Sequence, residues 1–93
     1  MSDEKFAVTF APSVVRDLAS PKIPRRVIDA ALMFIEGPLA EAPWRVGKPL
    51  VGPLVGTYSA RREDFRILYT VDFDARRIRI TGLSHRSDAY GQH

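Results

Sequence analysis

The spacing of apolar positions changes along the chain, from alternation to a helical repeat and back to alternation. Lys5–Ala11 (KFAVTFA) places Phe6, Val8 and Phe10 on one face and Ala7 and Thr9 on the other, which predicts a half-buried strand. Pro12 ends it and suits the first turn of a helix, predicted over Ser13–Ala19 with Val14 or Val15 and Leu18 facing inward. Ser20–Pro24 is a tight connection, and Pro24 opens the next helix. Arg25–Ile35 carries the clearest helical repeat. Val27, Ile28, Ala31, Leu32 and Ile35 fall on one stripe, and Arg25, Arg26, Asp29 and Glu36 on the other side. Gly37-Pro38 marks a stop or a kink, with one further turn over Leu39–Ala42. Two successive helices with a short link predict a helical hairpin.

Ala42–Pro53, rich in proline and glycine, predicts an irregular loop. Three strands follow in prediction: Leu54–Ala60, Phe65–Phe73 and Arg76–Leu83, with a turn at Asp74-Ala75. In the second, Phe65, Ile67, Tyr69, Val71 and Phe73 share a face, and Arg66, Leu68, Thr70 and Asp72 share the other. In the third, Ile78 and Ile80 point inward while Arg77, Arg79 and Thr81 point outward. Ser84–His93 is a polar tail with His85, Arg86 and Tyr90. The predicted class is α+β: a helical hairpin packed on one face of a small, mostly antiparallel, twisted sheet of about four strands. The other face is then open. It carries Arg66 and Thr70, with Arg61 and His85 at the strand ends.

A chain of 93 residues, 45% hydrophobic and 27% charged, is expected to form a single domain over 1–93 around one modest core. It has no cysteine, which removes disulfides and thiolate metal sites and suits the cytoplasm. Its first residues lack the basic-then-apolar pattern of a signal peptide, and no apolar run approaches the length of a membrane span. Charge changes the picture more. Residues 1–43 hold five Lys/Arg and six Asp/Glu, a net of −1, whereas residues 44–93 hold nine and five, a net of +4. Eleven of the fourteen basic residues are arginine, whose planar fork matches phosphate oxygens.

Candidate chemistry lies in that basic half. Arg61-Arg62-Glu63-Asp64-Phe65-Arg66 forms a hairpin with an arginine inside a strand. A long cation there pairs, snorkels or awaits an anion; a salt bridge to Asp72 is the plain alternative to phosphate binding. His85, Arg86 and Tyr90 at a strand exit are an acid, an anion clamp and a stacking platform, or else ordinary structural residues. Trp44 reads as packing under the loop. The two histidines, His85 and His93, form no cluster with metal-ligand spacing, and Gly47-Lys48-Pro49 lacks the setting of a phosphate loop. Neither a metal nor an organic cofactor is expected.

Four short stretches in order resemble one family. They are Gly47-Lys48-Pro49-Leu50, Leu54-Val55-Gly56-Thr57-Tyr58-Ser59-Ala60-Arg61-Arg62, Asp64-Phe65-Arg66-Ile67-Leu68-Tyr69, and His85-Arg86 followed by Tyr90. Together they resemble the RelE/ParE toxin superfamily, and RelE toxins of actinobacteria in particular, over nearly the whole chain. The resemblance implies a toxin of a type II toxin–antitoxin system that inhibits translation. Such a toxin is a metal-independent endoribonuclease that cleaves mRNA in the ribosomal A site. It implies catalytic roles for Arg66 at the scissile phosphate, Arg86 in stabilising the transition state, Tyr90 in stacking on a base, and His85. Lys48, Ser59, Arg61 and Arg62 are then substrate-binding candidates. The implied partners are a cognate antitoxin in a hetero-oligomer, the ribosome and mRNA, with no membrane.

The sequence departs from the family at three places. Thr57 and Ser59 stand where the best-known RelE enzymes carry two strand lysines, and Glu63 where a hairpin glycine is usual. The general base is therefore unassigned. Two other readings stay open: a ParE-like gyrase inhibitor with no catalysis, and an inactive homologue that only binds antitoxin.

Overall fold

The computed structural model describes residues 5–85; Arg86, Tyr90 and His93 lie outside the described residues. The opening alternation forms β1 (Ala7–Phe10), and Pro12 starts α1 (Pro12–Leu18) as its first helical residue. Val14 is buried and Val15 is exposed, which resolves the choice between them. The helical stripe forms α2 (Arg25–Phe34), burying Val27, Ile28, Ala31 and Phe34.

The Gly37-Pro38 pair does not stop this helix. The chain widens into a π-type turn over Ile35–Leu39 with Pro38 inside it, and Ile35 and Leu39 stay buried. Proline lacks the N–H of the ordinary ladder and clashes with the preceding turn, and a locally wider turn relieves that clash.

The stretch predicted to be irregular, Ala42–Pro53, is instead partly regular. It contains α3 (Pro43–Val46), the short strand β2 (Lys48–Pro49) and a single 3-10 turn at Gly52–Leu54. Its prolines sit where they do no harm: Pro43 in the first turn of α3, and Pro49 on a sheet edge. The next strand begins only at Thr57, because Gly56 takes φ of 98° in the turn before it. This is β3 (Thr57–Arg61), followed by β4 (Phe65–Asp72) and β5 (Arg77–His85).

Among the described residues the sheet thus has five strands rather than about four, in the order β1-β5-β4-β3-β2. Strands β2 to β5 form an antiparallel meander, and β1 lies parallel beside β5. The β4–β5 register steps between Leu68 and Tyr69, which pair with Gly82 and Ile80, so that Thr81 has no residue opposite. This bulge lets Ile78, Ile80 and Leu83 all reach the core despite their unequal spacing. They meet Phe6, Val14, Val27, Ile28, Ala31, Phe34, Ile35, Leu39, Phe65, Ile67 and Tyr69 in one cluster beneath the helices. Phe73, predicted to face inward, is 48% exposed because β4 ends one residue earlier; it rests edge-on against Phe6. Among the described residues no helix is long and apolar enough to cross a membrane.

Candidate functional site

The core fixes which side chains are left facing away from it. Ala60, Phe65, Ile67 and Tyr69 are buried under the helices, so Ser59, Arg61, Arg66 and Leu68 point to the opposite face. Cross-strand register then assembles the site. Lys48 lies opposite Ser59, Arg61 opposite Arg66, and Arg66 opposite Ser84. Lys48, Ser59 and Arg61 line an open cleft of about 420 Å³ with Val46, Gly47 and Leu50.

Two arginines directly opposite on antiparallel strands repel each other unless an anion lies between them. Arg66 has a further unmet need: its Nε is buried and has no hydrogen-bond partner among the described residues. The alternative salt bridge to Asp72 is not formed. Asp72 instead accepts a hydrogen bond of 3.0 Å from the Ala75 N–H and shapes the β4–β5 turn. The carboxylate nearest in sequence, Asp64, is turned toward the helices and meets Arg26 at 3.7 Å.

Other candidates are not brought to this face. Arg62 lies over the Phe34 ring at 4.2 Å and donates to the Arg61 carbonyl at 3.3 Å, on the helix side of the hairpin. His85 pairs with Phe65, and the register therefore puts it on the core side of the sheet, not beside Arg66 as predicted. The bulge at Thr81 decides this: it shifts the alternation of β5 by one residue, so Ser84 takes the place opposite Arg66. Trp44 is about half exposed and packs against Phe6 and Phe73, at 6.2 and 6.3 Å between ring centres. No three described His, Asp or Glu side chains gather closely enough to hold a metal.

The structure adds residues that the sequence reading did not single out. Tyr69 is fully buried and its hydroxyl donates to the Pro43 carbonyl at 2.8 Å. Its ring stacks on Tyr58, 5.5 Å away with 15° between planes. Burial first, then the neighbouring Tyr58, pushes its pKa up to about 12, against a smaller opposite pull from Arg62. Gly47 makes this possible, since a Cβ there would overlap the Tyr69 hydroxyl. The Tyr69–Pro43 bond therefore ties α3 to the sheet and sets where Lys48 emerges. The signal in sequence was a glycine immediately before the only lysine of the basic half.

What results is a cationic groove that Val46 and Leu50 also line, with Arg66 across the strand pair from Arg61 and its Nε lacking a hydrogen-bond partner among the described residues. That chemistry suits a phosphodiester backbone with a base beside it.

No family model matches the sequence. The chain is 41% identical over 85 residues to the toxin RelG of Mycobacterium tuberculosis, covering 91% of this chain and 95% of that protein. It is 36% identical over 88 residues to the toxin RelE of the same organism, covering 95% of this chain and 89% of that one. Among solved structures, the toxin–antitoxin complex RelBE2 of M. tuberculosis contains a chain that superposes with a TM-score of 0.84 at 40% identity. That match covers 89% of this chain and 100% of the other. With the fold, the arginine-lined face and near full-length relatives in agreement, the chain belongs to the RelE family of toxins.

Proposed function

We propose that this chain is the toxin of a type II toxin–antitoxin pair. In this reading it acts in the cytoplasm as an endoribonuclease that cuts mRNA in the ribosomal A site, and a cognate antitoxin restrains it. The observation that carries the reading is the Arg61–Arg66 pair on the open sheet face, with the Arg66 Nε buried and lacking a hydrogen-bond partner among the described residues. In the cleavage step the substrate's own 2′-OH attacks the adjacent phosphorus and the 5′-oxygen leaves, giving a 2′,3′-cyclic phosphate and a 5′-hydroxyl end. Negative charge grows on the phosphoryl oxygens as the new bond forms. Arg66 and Arg61 neutralise it most strongly at that point, because they are fixed on a rigid strand pair before the substrate arrives. Lys48 adds charge from the edge of the cleft, and Ser59 offers a hydroxyl to the sugar or phosphate. Arg86 and Tyr90 are assigned to charge stabilisation and base stacking by family resemblance.

The test is inducible expression with translation followed by labelled methionine and mRNA 5′ ends mapped by primer extension. Cuts inside translated codons, lost with Arg66→Ala, support the reading. Intact mRNA with arrested DNA replication means a gyrase inhibitor instead, and normal growth means an inactive antitoxin-binding homologue. A second expectation concerns Lys48 and Arg61. Lys48→Ala and Arg61→Ala each weaken substrate binding, and each lowers the slope of log affinity against log salt by about 1, since each removes one phosphate contact. An unchanged slope in filter-binding titrations places that residue outside the substrate path.

A further inference from the structure

Cross-strand register divides the open face of the sheet into rows about 7 Å apart, the length of two residues along a strand. Arg61, Arg66 and Ser84 form the first row, where the proposed cleavage step puts the scissile phosphate. Lys48, Ser59, Leu68 and Gly82 form the second. Thr57, Thr70 and Arg79 form the third, and Asp72 with Arg77 the fourth.

The third row holds a cation that the cleavage step does not use. Ile78 and Ile80 on either side of Arg79 are fully buried, which puts Arg79 on the open face. It is exposed, and among the described residues it forms no ion pair. Its neighbours in register are short hydroxyl side chains, Thr70 on β4 and Thr9 on β1. They leave room for its guanidinium to swing across the face, and a threonine hydroxyl beside an arginine gives a phosphate two kinds of donor.

The rows on either side of this one differ in kind. In the second, Leu68 is half-buried and Gly82 opposite it has no side chain; a Cβ there would lie 3.2–3.4 Å from Leu68 carbons. The centre of that row is therefore a low apolar step, and among the described residues no carboxylate stands on the face between the first row and the third. In the fourth row Asp72 stands directly opposite Arg77, so opposite charges offset each other and an anion gains little there. Cationic rows thus flank an apolar step over about 13 Å, four residues of β4, and the positive track ends at Asp72. Single-stranded RNA has the same order of chemistry: a phosphate, an apolar base face, then another phosphate.

We infer that Arg79, with Thr70 beside it, is a second phosphate subsite for the mRNA, and that the nucleoside between the two phosphates rests on Leu68 above Gly82. This rests on the endoribonuclease reading proposed above. Arg79 binds and orders the substrate and takes no part in the bond-breaking step.

The experiment is single-turnover cleavage of mRNA on programmed ribosomes at increasing protein concentration, with Arg79→Gln and Arg77→Gln beside the parent. The two variants remove the same charge from neighbouring exposed positions of one strand. Arg79→Gln is expected to raise the half-saturating concentration roughly three- to tenfold and to leave the maximal rate unchanged, while Arg77→Gln changes neither. The mRNA is then made with neutral methylphosphonates in place of single phosphates around the cut. The parent is expected to bind less tightly when one particular phosphate beside the scissile one is neutralised, and Arg79→Gln to be indifferent to that change. An equal effect of Arg77→Gln would mean general attraction to charge and would overturn the subsite. So would a penalty profile that Arg79→Gln leaves unaltered, which would place Arg79 against ribosomal RNA instead. A lower maximal rate at unchanged half-saturation also overturns it, since Arg79 would then act in the chemistry. If Arg79→Gln fails to fold, the parent's profile decides: sensitivity at the scissile phosphate alone sinks the proposal. A parent that cuts no mRNA removes the endoribonuclease reading and this inference together.

Discussion

On the endoribonuclease reading proposed above, Arg66→Ala is expected to abolish mRNA cleavage without weakening the fold. The cleavage rate falls on the order of 10²–10³-fold, the usual effect of removing one preorganised donor from a developing oxyanion. The melting temperature stays level or rises. A buried Nε with no hydrogen-bond partner among the described residues costs the folded state about 1–3 kcal/mol, and the guanidinium also faces Arg61 across the strand pair. Removing it relieves both penalties, against which stands the loss of packing by the arginine stem. This opposition between activity and stability separates a functional arginine from a structural one, whose removal lowers both. Arg66→Lys keeps the charge but loses the planar fork, so it is expected to recover only part of the rate. Single-turnover cleavage beside thermal unfolding checks the pair of effects. A drop in melting temperature that parallels the loss of activity would show Arg66 to be a structural strut.

The second large effect is at Gly47. Gly47→Ala is expected to destabilise the protein by about 2–3 kcal/mol and to raise KM. The new Cβ would overlap the Tyr69 hydroxyl and come within 3.0 Å of the Ser59 carbonyl oxygen. Tyr69 is fully buried and stacked on Tyr58, so it has no room to yield. The α3–β2 segment must move instead, breaking the Tyr69–Pro43 hydrogen bond and carrying Lys48 away from Ser59. For a domain of this size the stability loss corresponds to a fall in melting temperature on the order of 10 °C. Tyr69→Phe isolates the hydrogen bond: it leaves the Pro43 carbonyl without its donor, at a cost of about 1–2 kcal/mol.

The same tyrosine predicts an alkaline transition. Its pKa is 10.0 in the unfolded chain and about 12 in the fold, chiefly because of burial. The folded state therefore holds the proton where the unfolded state has released it. Stability from this group is full below pH 10 and is lost as pH rises toward 12, by roughly 2–3 kcal/mol in all. Urea unfolding at intervals between pH 9 and 12 is expected to show that decline in the parent and a flatter curve in Tyr69→Phe. Parallel curves would mean that Tyr69 ionises without penalty in the fold.

Local pattern determined the elements whose residues all answer to one neighbour. The alternation of Phe65, Ile67 and Tyr69 and the stripe of Val27, Ile28 and Ala31 each meet the core, so period alone located β4 and α2 and put Arg66 outside. The family, too, was legible from the ordered short motifs around Lys48, Tyr58, Arg61 and Arg66. Tertiary structure decided what depends on distant partners. Lys48-Pro49 is a strand only because Ser59 and Tyr58 pair with it, and two residues carry no period of their own. Pro38 reads locally as a helix stop or a kink, and burial of Ile35 and Leu39 decides between them by holding the helix together through a wider turn. His85 belongs to the core side because the bulge after Leu68 and the pairing with Phe65 set its register, and a one-residue change of register moves a side chain to the other face. The meeting of Arg61 with Arg66, and of Gly47 with Tyr69, likewise follows from how strands align across the sheet. Spacing along the chain says which face a residue takes within its own strand, whereas only pairing says what stands opposite it.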